Sequence, residues 1–269
     1  MEKLKVGIIG AGRIGQVHAK SITYHIPQAE IVAISDIYVD GAKKVAQELG
    51  IPNYYEDYHE ILNNPEINAV LICSSTDTHA DIAVEAAKAG KNIFCEKPVD
   101  LTVAKIKKVI EAVDEAGVKL QIGFNRRYDH NFAEIKNLEN KGKIGELQTI
   151  KITSRDPEPP PISYVKVSGG IFLDMTVHDF DMARFIGGEV EEVYAMPKLP
   201  LIRQSVKPAM LILLLLPLSL RAAQSALLIT AVKLLTDMTK GLKCSAVRVR
   251  QVPQMTLLPT FHLLMKRVI

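Results

Sequence analysis

Three short stretches hold residues that could do chemistry together. "CEKPVD" sets Glu96, Lys97 and Pro98 in a row. A lysine ammonium can donate to a hydroxyl or carbonyl oxygen, and the proline after it fixes the local backbone. "GGIFLDMTVHDFDMARFIGG", Gly169 to Gly188, spaces Asp174 and His178 four apart. On one helix they share a face and can touch. A carboxylate beside an imidazole orients the ring and stabilises its protonated form, as a general base requires. Asp179 and Asp181 then point elsewhere. The bland alternatives are a metal cluster or a capping group, and the spacing lacks the ligand geometry of a dedicated zinc motif, so no metal is expected. "GIIGAGRIG" carries Gly10, Gly12 and Gly15. Glycines so spaced let the backbone turn tightly and admit a pyrophosphate to a helix N-terminus, where unpaired N–H groups favour an anion.

Alone, each signal is weak. A glycine turn occurs in ordinary α/β units, and a Glu-Lys pair before a helix is commonly solvated. The elements around them decide. Leu4 to Ile9 is an apolar run that reads as a buried parallel strand, and Arg13 to about Ile22 is helix-compatible. "AEIVAISD" is a second strand that ends in Asp36, 21 residues after Gly15. An acid at that distance is where a dinucleotide's ribose 2′-OH is held. Ile37 and Tyr38 offer no arginine for a 2′-phosphate, which favours NAD over NADP. The alternation continues with a strand at Asn68–Ser75, a helix at Thr78–Gly90, and a strand at Lys91–Cys95. A helix at Thr102–Ala116, closed by Gly117, and a sixth strand in "VKLQIGF" follow. Strands alternating with helices predict an α/β fold with an N-terminal doubly wound parallel (Rossmann) sheet. Ligands bind beyond the carboxyl ends of such strands, where "SSTDTHAD" and "EKPVD" fall.

"GIIGAGRIG", "EKP", "GFNRRYD", "SRDPEPPPISYVKVSGG" and "GGIFLDMTVHDFDMARF" together resemble the Gfo/Idh/MocA oxidoreductases, and within them the inositol 2-dehydrogenase branch. The resemblance runs over residues 3–196. It implies a Rossmann domain over 1–122 and an α+β domain whose open sheet builds a homotetramer, incomplete here at 123–196. It implies NAD-dependent oxidation of the axial hydroxyl of myo-inositol to the 2-keto sugar. Carried over by motif, Lys97 holds the substrate hydroxyl beside the nicotinamide, His178 is the general base, and Asp174 tunes it. Arg127 helps hold the polyol. Gly10, Gly12, Arg13, Ile14, Gly15, Asp36, Ser75, Thr76, His79, Glu96 and Lys97 line the cofactor. Two rival readings are an enzyme of the same family on another sugar or polyol, and a non-catalytic NAD-binding sensor. Keeping both Lys97 and His178 speaks against the sensor.

The resemblance stops at Met196, and composition changes there too. The chain of 269 residues has a net charge of +3. Residues 1–196 carry 29 acids against 22 Lys and Arg, a net of −7, whereas 197–269 carry one acid, Asp237, against 11, a net of +10. Only one of the 16 glycines and none of the eight tyrosines lies after Met196. "AMLILLLLPLSL", Ala209 to Leu220, is too short for a membrane span of about 20 residues, and Pro217 interrupts it. The basic charge has no aromatic interleaving or motif behind it, so neither nucleic acid nor membrane is an expected partner. Regrouping the bases gives another reading. If each codon takes the third base of one residue's codon and the first two of the next, a choice of synonymous codons for "DMTKGLKCSA" permits "YDQRVEVFGS". That string is similar to the missing family continuation. Loss of one base after the Met196 codon would produce the tail. It would then have no selected fold, aggregate through its leucines, impair the enzyme and disrupt the tetramer. Cys73, Cys95 and Cys244 have no paired spacing, and the N-terminus lacks a signal-peptide pattern; both fit a reducing cytoplasm.

Overall fold

The short apolar runs of the first half become parallel strands. The computed structural model describes residues 2–145, 147, 149–156, 168–193, 196–198, 213–220 and 223–232. Two units meet at Gly123/Phe124, one residue beyond the expected boundary.

The first unit runs β1 (Leu4–Ile9), α1 (Arg13–His25), β2 (Ala29–Ser35), α2 (Val39–Leu49), β3 (Asn53–Tyr55) and α3 (His59–Leu62). It continues with β4 (Ala69–Ile72), α4 (Thr76–Lys88), β5 (Asn92–Cys95), α5 (Val103–Ala116) and β6 (Leu120–Ile122). The strand order is β3-β2-β1-β4-β5-β6, with every pairing parallel. Side chains alternate across the sheet, so each face has its own core. Val6 and Ile8 pack with Ala19 and Ile22 of α1 and Ala42 and Val45 of α2. Ile9, Val70 and Ile72 pack with Ala80 and Ala83 of α4 and Val109 and Ala112 of α5. Helices on both faces leave the strands as continuous apolar runs. The strand order reverses between β1 and β4, which opens a crevice at their carboxyl ends. Helix α4 begins at Thr76, two residues before the predicted start, which brings Asp77 into its first turn beside the positive end of the dipole. Helix α5 ends as expected, with Gly117 left-handed at φ 65°.

The second unit opens with a 3-10 turn at Asn125–Tyr128 and α6 (His130–Asn140). The Asp129 carboxylate caps α6 by accepting from Asn131 N–H at 2.9 Å. Then come β7 (Thr149–Asp156), α7 (Gly170–Asp174), α8 (Val177–Gly187), β8 (Val190–Val193) and β9 (Met196–Lys198). Phe132, Ile150, Ile152, Phe180 and Met182 form the core. The tail, expected to hold no fold of its own, supplies β10 (Leu213–Leu220) and β11 (Ala223–Val232). The sheet order is β7-β11-β10-β8, with β9 also on β10. Strand β10 is antiparallel to β11, and Pro217 stands opposite Leu227. A proline that would break a helix removes a single ladder donor here. The rest of the tail lies outside the described residues, as does most of "SRDPEPPPISYVKVSGG". Among the described residues, no helix is long and apolar enough to cross a membrane.

Candidate active site

In the first unit the glycines of the turn after β1 serve three different purposes. Gly10 has φ +104°, and a Cβ there would lie 2.5 Å from the Cys73 carbonyl. A Cβ on Gly15 would lie 2.0 Å from the Gly10 oxygen. Gly12 faces open space, with nothing within 4 Å of its would-be Cβ. The first glycine therefore lets the β1 and β4 turns touch, and the third lets α1 sit against the turn. The second leaves a clear approach to the N-terminus of α1, where Gly12 brings no capping side chain. Arg13 is exposed and Ile14 half-buried in the first turn of α1.

Asp36 follows β2. Its Oδ2 accepts from Ala11 N–H at 2.7 Å and its Oδ1 from Tyr38 N–H at 2.9 Å. The acid thus braces the glycine turn, and each oxygen keeps a lone pair for a hydroxyl. Ile37 and Tyr38 are exposed beside it. Ser75 stands at the N-cap position of α4 with no side-chain capping bond, and Thr76 begins the helix, placing both at the carboxyl end of β4.

Glu96, Lys97 and Pro98 follow β5. The Glu96 carboxylate is hydrogen-bonded to His18 Nε2 at 2.7 Å and accepts from Lys97 N–H at 3.3 Å. Gly123 packs on the same carboxyl, which a Cβ there would approach to 3.1 Å. Glu96 was expected along the cofactor; here it anchors α1 to the start of the Lys97 segment. His18 was missed, because its turn of α1 shows nothing but an ordinary helical face. Lys97 is half-buried and its peptide to Pro98 is cis.

His79 was also expected along the cofactor. Its ring is 2% exposed. Nδ1 lies 2.8 Å from the Pro98 carbonyl oxygen and Nε2 lies 3.1 Å from that of Ser74. Both ring nitrogens therefore meet the backbone and neither turns outward. Cys73 and Cys95 lie buried beneath the crevice. Burial pushes both thiols up, Cys95 to about 12, so they stay neutral and fill space.

In the second unit, Arg127 does not stand ready for a polyol. Its guanidinium grips Asp181 in a fork, with Nε 2.9 Å from Oδ2 and Nη2 2.7 Å from Oδ1. That hydrogen bonding raises its pKa, and the guanidinium carbon Cζ lies over the Phe185 ring, 5.2 Å from its centroid. A fork of this kind fixes geometry and uses most of the donor face. Arg126 Nη1 donates to the fully buried Asp179 at 2.5 Å and to Ser154 Oγ at 3.2 Å, while Ser154 Oγ donates to Asp179. The adjacent arginines in "NRRYD" and the alternate acids in "HDFD" are the sequence signal for this double strap. It holds α8 from the residue next to His178.

Asp174 and His178 do not lie on one continuous helix. Asp174 ends α7, and His178 is the second residue of α8. Between them Thr176 N–H donates to Ile171 O at 2.8 Å, an i→i−5 bond. Such a widened turn interrupts an α-helix and shifts the faces on either side of it.

The first unit thus gathers Gly10, Gly12, Gly15, Asp36, Ser75, Thr76 and Lys97 at the carboxyl ends of β1, β2, β4 and β5. The second gathers Asp174 and His178 at the α7–α8 junction. The open Gly12 cradle, the uncapped α1 terminus and Asp36 fit a dinucleotide. Known proteins agree. Residues 4–124 match the model for the oxidoreductase family with an NAD-binding Rossmann fold, and residues 132–213 match that for the GFO/IDH/MocA C-terminal domain. The myo-inositol 2-dehydrogenase of Thermotoga maritima is 49% identical over 193 residues, 71% of this chain and 58% of that protein. The chain thus spans less than three-fifths of that curated relative. A probable dehydrogenase of T. maritima superposes with a TM-score of 0.79 at 42% identity, over 85% of this chain and 69% of that one. A scyllo-inositol dehydrogenase of Lactobacillus casei with bound NAD(H) and scyllo-inositol gives 0.76 at 30% identity, over 86% and 70%.

Proposed function

This chain belongs to the Gfo/Idh/MocA oxidoreductase family, with an NAD-binding Rossmann domain as its first unit, and from that premise we propose that it oxidises myo-inositol to the 2-keto inositol in the cytoplasm. The observation that carries this reading is Lys97 at the carboxyl end of β5, on the same sheet edge as the glycine cradle and Asp36. Gly12 and the first turn of α1 would hold the pyrophosphate, and Asp36 the adenosine ribose. When bound, NAD supplies the hydride acceptor. Lys97 donates to the reacting hydroxyl and holds it in place. The His178 imidazole takes the O–H proton, and the Asp174 carboxylate stabilises the imidazolium that results. The similarity to inositol dehydrogenases, including one that holds scyllo-inositol, supports a cyclic polyol as substrate. The change of composition after Met196 supports impaired turnover and a weakened tetramer in this chain.

Initial rates of NADH formation with myo-inositol, scyllo-inositol and glucose, each with NAD+ and NADP+, test the reading. We expect slow, inositol-dependent reduction of NAD+ in preference to NADP+. His178→Ala should lower it by about 10²–10⁴-fold, the usual share of a general base, while leaving NADH binding intact. Turnover indifferent to His178→Ala, or no turnover with any inositol, would sink it.

A further inference from the structure

His79 has no place in the chemistry above, yet it is among the few polar side chains buried in the first unit. It stands in the first turn of α4, between two loops at the crevice. One end reaches the Ser74 carbonyl and the other the Pro98 carbonyl, at 3.1 and 2.8 Å. The Ser74 loop is itself tied down. Its hydroxyl bonds Thr78 Oγ1 at 2.7 Å, and its backbone abuts Gly10, whose would-be Cβ lies 2.7 Å from Ser74 N. A line of direct contacts therefore runs from the glycine turn through Ser74 and His79 to Pro98 and Lys97. Both contacts are to acceptors, and a ring with a single N–H donates to one carbonyl while its other nitrogen packs against the second. A buried carbonyl left without its donor costs about 1–3 kcal/mol, so one loop is held to the ring by that bond and the other by close contact.

We propose that His79 is a positioning residue that couples the cofactor-facing turn after β4 to the placement of Lys97. This rests on the reading of Lys97 given above. The loop of Ser74 leads into Ser75 and Thr76 at the N-terminus of α4, and Pro98 adjoins Lys97. The ring sets the distance between the two. Cofactor seated on the first loop and the ammonium on the second are thus held in one register.

The two ends can be separated by substitution. An asparagine amide falls near Nδ1 and keeps the Pro98 end. A glutamine amide falls near Nε2 and keeps the Ser74 end. The readouts are NADH affinity by fluorescence and kcat with myo-inositol, in chains whose folding is checked by circular dichroism. His79→Phe should weaken NADH binding about tenfold and lower kcat about tenfold, each tenfold step being about 1.4 kcal/mol. His79→Gln should restore NADH affinity but not kcat, and His79→Asn should restore kcat but not affinity. If His79→Phe does not fold, the Asn and Gln contrast decides alone. Equal losses in both variants, or no loss in either, overturn the proposal. A wild-type chain with no inositol turnover sinks the function proposed above and not this inference, which the ordering of NADH affinities (Gln above Asn and Phe) still supports or refutes.

Discussion

At the scale of single residues, the molecule distinguishes side chains that hold backbone from side chains that hold ligand. Glu96, His79 and Arg127 all occupy motif positions, and all three are engaged by their own chain. A separate group shows how exposure limits such bonds. His59 Nδ1 lies 2.6 Å from Asp57 Oδ1 and its Nε2 lies 3.1 Å from Glu85 Oε2, while Tyr58 OH donates to Glu85 at 2.7 Å. The hydrogen bond to Asp57 raises the His59 pKa, and backbone and side-chain bonds from His59 lower that of Asp57. The histidine's contribution is complete below its ordinary value of 6.5 and is lost as pH rises through the raised one. The acid's contribution is present above its ordinary 3.8 and is lost as pH falls through the depressed value. His59→Gln should therefore lower the melting temperature most between those limits, near about pH 5–6, and hardly at all at about pH 9. The effect is small because the pair is exposed. A difference in melting temperature that stays constant from pH 5 to pH 9 would show that the ion pair contributes nothing.

At the scale of elements, the β1–turn–α1 unit makes the sharpest prediction, because its three glycines face different obstacles. Gly15→Ala drives a methyl into the Gly10 carbonyl, whereas Gly12→Ala meets nothing in the protein. Gly15→Ala should therefore lower both melting temperature and NADH affinity. Gly12→Ala should melt close to wild type yet bind NADH at least about tenfold more weakly, a loss of about 1.4 kcal/mol. Equal destabilisation by the two, or normal NADH binding by Gly12→Ala, would refute this division of labour. The unit was legible in sequence because its signals are local: an apolar run, a glycine spacing, and an acid one strand later. The α7–α8 junction was not. Four residues between Asp174 and His178 imply a shared helical face only where the hydrogen bonds stay i→i−4, and Thr176 departs from that. The Arg127–Asp181 pairing was not legible for a related reason. The arginine's type suits a polyol, but its partner Asp181 lies 54 positions away, beyond any local pattern. The start of α4 was placed two residues late because Thr76 and Asp77 are not apolar and so carry no periodic signal.

At the scale of the whole chain, the break after Met196 is the feature with the widest consequence. The net charge is −7 before it and +10 after it, a sharp asymmetry between the two parts of one chain. Likeness in sequence to the Thermotoga enzyme covers 71% of the chain, while likeness in fold to the other Thermotoga dehydrogenase covers 85%. Strands β10 and β11 take places in the second sheet with a leucine-rich sequence that was not legible as sheet. A run such as "LLLLPLSL" has no alternation to mark a half-buried strand. We propose a shifted reading frame, which would account together for the charge, the leucines and the scarcity of glycine and tyrosine after Met196. It can be tested at the level of the gene and of the protein. Two chains would be made, one from the gene as it stands and one with a single base restored after the Met196 codon. The restored chain should sediment as a tetramer and oxidise myo-inositol at least about 10²-fold faster, the scale of loss when reacting groups are held slightly out of place. The chain as written should bind NADH through its first unit and remain poorly soluble. If instead the chain as written is a soluble tetramer that turns over as fast as the restored one, the frame-shift account fails. The leucine-rich strands would then be a selected part of the sheet, and the basic tail would need a function of its own.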